Sequence, residues 1–194
     1  FSKTDICQIS TVNNGRPYKG LHDLLKALSI LNESYPTKFE LNVLGYNPYD
    51  SKNYLQTGFD RYIIDLVYRL NLVNQVRFKS NRKASELVSD FLSSNVFVQT
   101  SYVESYSFVL AEALYLGVPS VVSYAGALSE YDSSTCFHYP SGDTKALAYA
   151  IYESTINEES IKKRSLKAIN YMRKKVNSMG IAENHIKMYN EILD

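Results

Sequence analysis

The chain has 194 residues, 45% of them hydrophobic, and 21 basic against 20 acidic side chains give a formal charge of +1. That size and apolar content suit one globular domain with a buried core. The near-neutral balance excludes a protein drawn to nucleic acid or anionic lipid by its overall field.

Short apolar strands alternate with amphipathic helices along the chain. "DICQIST" from Asp5 reads as a strand, and "GLHDLLKALSILNES" as a helix with Leu21, Leu24, Leu25, Leu28 and Leu31 on one side. "FELNVLG" is the next strand, ending at Gly45. The pattern predicts a helix from Tyr54 to Leu72, with Gly58 weakening its start. A strand "NQVRFKS", a helix "KASELVSDFLSS" and a strand "NVFVQTS" follow. Then come a helix "SFVLAEALYLG" stopped by Gly117 and Pro119, a strand "PSVVSY" and a short strand "STCFHYP". Asp143 is placed to cap a helix "DTKALAYAIYES". Two more helices close the chain, the last over about residues 182–192. The alternation implies an α/β, Rossmann-like parallel sheet with helices on both faces, one domain over residues 1–194. In such sheets ligands bind beyond the carboxyl ends of the strands.

Several features narrow the class. No apolar run approaches the ~18 residues of a membrane span, and no signal peptide is visible. Phe1 stands where a Met would begin a complete chain, so the sequence reads as a piece of a longer protein. Cys7 and Cys136 lack CxxC or Cys/His spacing and read as reduced thiols in a cytosolic setting, with no metal expected. The basic stretch "IKKRSLKAINYMRKK" has apolar positions at helical spacing and reads as a solvated helix face, so no nucleic-acid partner is expected.

Glu104 and Glu112 stand eight positions apart, one before a helix and one inside its apolar run. A helix N-terminus with its unpaired N–H groups favours an anion such as phosphate. A carboxylate repels phosphate but accepts hydrogen bonds from vicinal hydroxyls. Acids beside an anion site therefore suit a ligand that carries phosphates and sugar hydroxyls together, such as a nucleotide sugar. With Ser107 near the N-cap, Glu112 lies roughly 7 Å along the axis at 1.5 Å per residue. By periodicity alone Glu112 reads as an ordinary surface residue of a helix. Arg16 and Lys19 lie between the first strand and the first helix and offer cations for a diphosphate. Gly15 and Gly20 have P-loop spacing, but Leu21-His22 stands where Lys-Ser/Thr belongs, which argues against a P-loop ATPase.

Together these residues resemble a known pattern. "SYVESYSFVLAEALYLGVPSVVS" is similar to the donor-site segment of retaining GT-B glycosyltransferases, the large group-one family. Its mark is Glu, seven residues, Glu, then Gly-x-Pro, here Glu104, Glu112, Gly117 and Pro119. Lys19-Gly20, "LNVLG" with Gly45, "AGALSEY" with Gly126 and Glu130, and "YPSGDTKALAYAI" resemble further family segments in order. The resemblance implies the C-terminal, donor-binding half of a two-domain enzyme, with the acceptor-binding half absent. It implies that Lys19 neutralises the diphosphate of a UDP-, GDP- or ADP-sugar, aided by Arg16, Gly20 and the helix N-terminus near Ser107. It implies that Glu112 holds the ribose, and that Glu104, with Ser105, Tyr106 and Ser107, holds the transferred sugar. Glu104 and Lys19 are then the catalytic pair, and no cofactor or metal is needed. The implied acceptor is a glycan or glycolipid in surface polysaccharide or glycolipid synthesis. The implied setting is cytoplasmic, with any peripheral membrane contact made by the other half.

Departures from the pattern are specific. The family's Gly-Arg pair after the first strand is Ser10-Thr11, followed by an insertion with Arg16; the Gly after the first glutamate is Ser105; the double-Gly turn is Gly126-Ala127. A nucleotide-sugar-binding module without catalysis, or a GT-B epimerase or phosphorylase, are the alternative readings. His22 sits close enough to the first loop to touch a ligand, whereas His138 and His185 read as ordinary histidines. Base choice is expected to rest on the loop from Phe78 to Arg82.

Overall fold

Val96-Phe97-Val98 is apolar at successive positions because the sheet is covered on both sides there, whereas Phe39–Leu44 and Val76–Lys79 alternate apolar with polar residues. The computed structural model describes residues 6–50 and 57–176, with 186, 188 and 189. Strands β1 (Cys7–Val12), β2 (Phe39–Leu44), β3 (Val76–Lys79), β4 (Val96–Gln99), β5 (Ser120–Ser123) and β6 (Phe137–Tyr139) form one parallel sheet, ordered β3-β2-β1-β4-β5-β6. Helices α1 (Leu21–Ser34), α2 (Gly58–Arg69) and α5 (Thr144–Ile156) pack on one face. Helices α3 (Ala84–Leu92), α4 (Phe108–Tyr115) and α6 (Glu158–Lys175) pack on the other. Short 3-10 turns cover Pro17–Lys19 and Gly126–Glu130.

The side-chain alternation of a strand feeds both layers. In β4, Val96 and Val98 join the α1 layer, while Phe97 joins the α4 layer and meets Phe91 edge-on at 5.3 Å. The five leucines of α1 are all fully buried, each contributing about 1.5–3 kcal/mol through lost apolar exposure. Tyr35 at the end of α1 stacks on Tyr152 of α5 at 3.8 Å. Both cysteines are free and buried, and burial pushes each thiol up to about 12, so neither is reactive at neutral pH. Among the described residues, no helix is long and apolar enough to cross a membrane.

Caps set the boundaries that periodicity misplaces. The helix expected from Tyr54 begins at Gly58, because Thr57 and Asp60 form a reciprocal capping box there. It ends at Arg69 rather than Leu72, since Asn71 takes a left-handed conformation with φ of 54°. Residues 54–56 of that expectation, and most of the helix expected over 182–192 with His185, lie outside the described residues. Asp143 caps α5 by accepting from the N–H groups of Lys145 and Ala146.

Strand order decides where a ligand crevice can form. β1 leads to α1 on one face, and its sheet neighbour β4 leads to α4 on the other. The loops that leave their carboxyl ends therefore diverge, which is the switch point of a doubly wound sheet.

Near the β3 edge, Asp90 of α3 binds Lys79 and Arg82 at 2.8 Å each, with its side chain 8% exposed. Burial acts to raise the Asp90 pKa, but the hydrogen bonds from Lys79 and Arg82 outweigh it and hold the carboxyl below its ordinary value. The stabilisation is therefore present above the unfolded carboxylate pKa of about 3.9 and is lost as pH falls through the lower folded value. We expect Asp90→Asn to cost roughly 1.5–3 kcal/mol at neutral pH, measured by urea unfolding. The gap from wild type should close below about pH 4. A gap that persisted in acid would assign the loss to packing instead.

Candidate functional site

The crevice is built from the chain after β1 and the chain after β4. Asn13 follows β1 and accepts the N–H of Gly15 at 2.9 Å, which turns the loop toward Arg16. The 3-10 turn Pro17–Lys19 then delivers Lys19 to the mouth of the switch point. The two loops are sewn together. Thr100 Oγ1 donates to the Lys19 carbonyl at 2.8 Å, and the Tyr102 N–H donates to the Tyr18 carbonyl at 2.8 Å. Gly20 lies at the tightest point, with φ of 67°, and a Cβ there would run into the Thr100 carbonyl oxygen.

Lys19 and Glu104 meet across this seam. Lys19 Nζ lies 2.7 Å from Glu104 Oε2, with side chains 23% and 11% exposed. The same oxygen accepts from Gln99 Nε2 at 2.8 Å and from Ser101 Oγ at 3.3 Å. Glu104 Oε1 has no partner among the described residues. The Glu104 backbone is fixed as well: its carbonyl accepts the Ala127 N–H at 2.9 Å. Gly126, with φ of 51°, leaves room for that carbonyl, which any Cβ would strike.

Ser107 caps α4, its Oγ accepting the Leu110 N–H at 3.1 Å and donating to Gln99 Oε1 at 2.7 Å. The N–H groups of the first turn open beside the Lys19–Glu104 pair and carry a partial positive charge. Ser105 and Tyr106 precede the cap and are exposed. The Tyr106 ring meets Phe108 at 4.9 Å, and Lys175 of α6 sits 5.6 Å from its face.

The remaining predicted residues surround this centre without joining it. Glu112 is exposed on α4, and its side chain has no ion-pair or hydrogen-bond partner among the described residues. It stands at a cavity of about 560 Å³ between α3, α4 and α6, whose walls include Leu87, Phe91, Phe108 and Met172. Arg16 is exposed and makes no ion pair among the described residues. Lys79 and Arg82, on the loop expected to choose a base, are both held by Asp90. Thr11, in the place of the family arginine, is buried at the end of β1.

The structure adds residues that the spacing does not reveal. Gln99, Thr100 and Ser101 turn polar at the carboxyl end of an apolar strand, and that change of character is their only signal in the sequence. Asp23, in the first turn of α1, is buried and accepts from the Tyr102 hydroxyl, which fastens the loop after β4 to α1. His22 stacks on Tyr102 with ring centroids 5.9 Å apart. Burial lowers the His22 pKa, Asp23 opposes the shift and Lys26 adds to it, so the imidazole is neutral at pH 7. The centre thus combines a cation, helix N–H groups and one carboxylate, with a second carboxylate exposed farther along α4, a set that can hold an anion flanked by hydroxyl groups.

No curated protein matches the chain by sequence. Its fold is that of several solved structures. Sucrose-phosphate synthase of Thermosynechococcus elongatus shares 22% identity at a TM-score of 0.80, over 100% of this chain and 47% of that one. Anabaena HepE in complex with UDP-glucose shares 18% at 0.80, over 97% and 50%. The C-terminal domain of a group 1 glycosyl transferase, LpcC, from Francisella tularensis shares 18% at 0.70, over 88% and 85%. The chain spans about half the length of the first two. The family described as "Glycosyl transferases group 1" matches residues 3–175, nearly all of the strand-and-helix sequence that builds this sheet and its crevice, and the chain belongs to that family.

Proposed function

We propose that this chain is the C-terminal, donor-binding half of a retaining glycosyltransferase, and that the crevice between β1 and β4 holds a nucleoside-diphosphate sugar. The observation that carries the reading is the Lys19–Glu104 pair, seated at the switch point beside the first turn of α4, with Glu112 free on the same helix. The fold likeness to HepE in complex with UDP-glucose and to the C-terminal domain of LpcC supports it.

Each residue then has a task. The first N–H groups of α4 and Lys19 draw the diphosphate, and Arg16 meets it from the solvent side. Ribose hydroxyls donate to the open Glu112 carboxylate. The transferred sugar lies against Glu104 Oε1, with Ser105 and Tyr106 lining the approach. As the bond from the anomeric carbon to the diphosphate oxygen lengthens, negative charge grows on the leaving group and positive charge on the sugar. Lys19 and the helix N-terminus stabilise the first, and Glu104 the second, so rate comes from positioned charge rather than from a proton relay. The other half of the protein supplies an acceptor glycan or glycolipid in the cytoplasm.

The alternative of nucleotide binding without transfer draws on one observation. Thr11 is buried where the family places a cation, so the diphosphate relies on Lys19 and Arg16. Release of a nucleoside diphosphate from UDP-glucose, GDP-mannose or ADP-glucose by the full-length protein separates the two readings.

Two substitutions test the assignment by calorimetry with UDP, GDP and ADP. Glu112→Gln keeps shape but loses the charge that the ribose hydroxyls meet, and should weaken the preferred nucleotide about tenfold or more. Unchanged affinity would return Glu112 to an ordinary surface residue. Arg16→Ala should cost about two- to fivefold, with the loss shrinking as salt rises, because an exposed contact is screened. No loss would leave the diphosphate to Lys19 and α4 alone.

A further inference from the structure

The Gln99 amide lies between two functional elements that share no covalent neighbour. It is 7% exposed at the end of β4. Its Nε2 reaches Glu104 Oε2 at 2.8 Å, its Oε1 receives the Ser107 hydroxyl at 2.7 Å, and Ser107 Oγ in turn caps α4 through the Leu110 N–H.

The direction of these bonds follows from the helix. A backbone N–H can only donate, so Ser107 Oγ accepts from Leu110 and has its own proton left to give. That proton requires an acceptor, which turns the Gln99 carbonyl toward Ser107 and its NH₂ toward Glu104. The reverse orientation would set the Gln99 oxygen against a carboxylate and leave the Ser107 proton facing an NH₂ group. Burial removes the water that could excuse either mismatch. The α4 cap therefore dictates which way the amide points.

We infer that Gln99 is a positioning residue that sets the orientation of Glu104. With Lys19 and Ser101 it ties down Oε2 and leaves Oε1 as the oxygen presented to the crevice. Lys19 alone would not do this, since its flexible stem follows the carboxylate and is itself committed to a diphosphate once the donor binds. Gln99 is the rigid member, held by a strand on one side and a helix cap on the other. This role rests on the donor-site reading above. It extends that reading to the sugar-facing geometry, because the diphosphate and ribose contacts do not draw on Gln99.

The test uses the full-length protein with UDP-glucose, GDP-mannose and ADP-glucose as donors, following nucleoside diphosphate release to water, and UDP, GDP and ADP for binding. Gln99→Leu roughly keeps the volume and removes the hydrogen bonds to Glu104 and Ser107, together with a longer one from Nε2 to Ser101 Oγ at 3.4 Å. We expect kcat for the preferred donor to fall about ten- to hundredfold, while nucleotide affinity stays within a few-fold of wild type. Gln99→Glu keeps the shape and adds a second carboxylate against Glu104. Two such groups share one proton, with one pKa raised above the usual carboxyl value of about 4.3. The ratio of its kcat to that of wild type should rise as pH falls, when residue 99 regains a proton to donate. A role in folding alone would give no such slope.

A Gln99→Leu protein with wild-type kcat overturns the role, as does one that loses nucleotide binding and turnover in parallel. A wild type that binds a nucleotide but releases none from any donor overturns the positioning role alone. A wild type that binds no nucleotide overturns the donor-site reading, and the role of Gln99 with it.

Discussion

Two neighbouring parallel strands that send their chains to opposite faces must leave a gap between those chains. In this protein the strands are β1 and β4, and every feature of the site follows from that divergence. Each departing loop bonds partly within itself, as Asn13 does with Gly15, and partly to the other, through Thr100 on the Lys19 carbonyl and Tyr102 on the Tyr18 carbonyl. The approach is close enough that only glycine fits at position 20. A seam of this kind sets the start of α1 against the loop that leads from β4 to α4.

The two glutamates live in opposite electrostatic settings, although the sequence presents them as a matched pair. Glu104 is largely buried and compensated by a cation and two neutral donors, all on one oxygen. A carboxylate desolvated to that degree needs such partners, because an unpaired charge there would be expensive. Glu112 sits in solvent, where hydration serves in their place. The first is therefore held in one geometry, and the second is free to meet whatever arrives at the cavity beside it.

Cations divide in the same way. Lys79 ends β3 and Arg82 lies on the loop after it, yet Asp90 binds both, and they brace the β3 edge. Arg16 is carried outward by the inserted loop after β1. Thr11 is buried and carries no charge, so the cations offered by the chain between β1 and α1 are Arg16 and Lys19.

The alternation of apolar strands with leucine-faced helices was enough to specify a parallel sheet layered on both sides, because each period admits one secondary structure and crossovers have one hand. The acid pair, the Lys-Gly step and the Gly-x-Pro stop are legible for the same reason, being local and ordered along the chain, and they point to the region of the candidate site. Helix ends were less legible, as the Thr57–Asp60 box and the left-handed Asn71 moved both ends of α2. The state of each charge could not be read from the sequence at all. Whether Glu104 is paired, whether Lys79 is free, and whether Gln99 touches anything depend on residues 85, 11 and 5 positions away along the chain. Those contacts exist only once β1 and β4 lie together and α3 closes over β3. Hydrogen bonds and ion pairs act over a few ångströms, so their partners are chosen by the tertiary fold, whereas the periodicity that builds the fold is written within each segment.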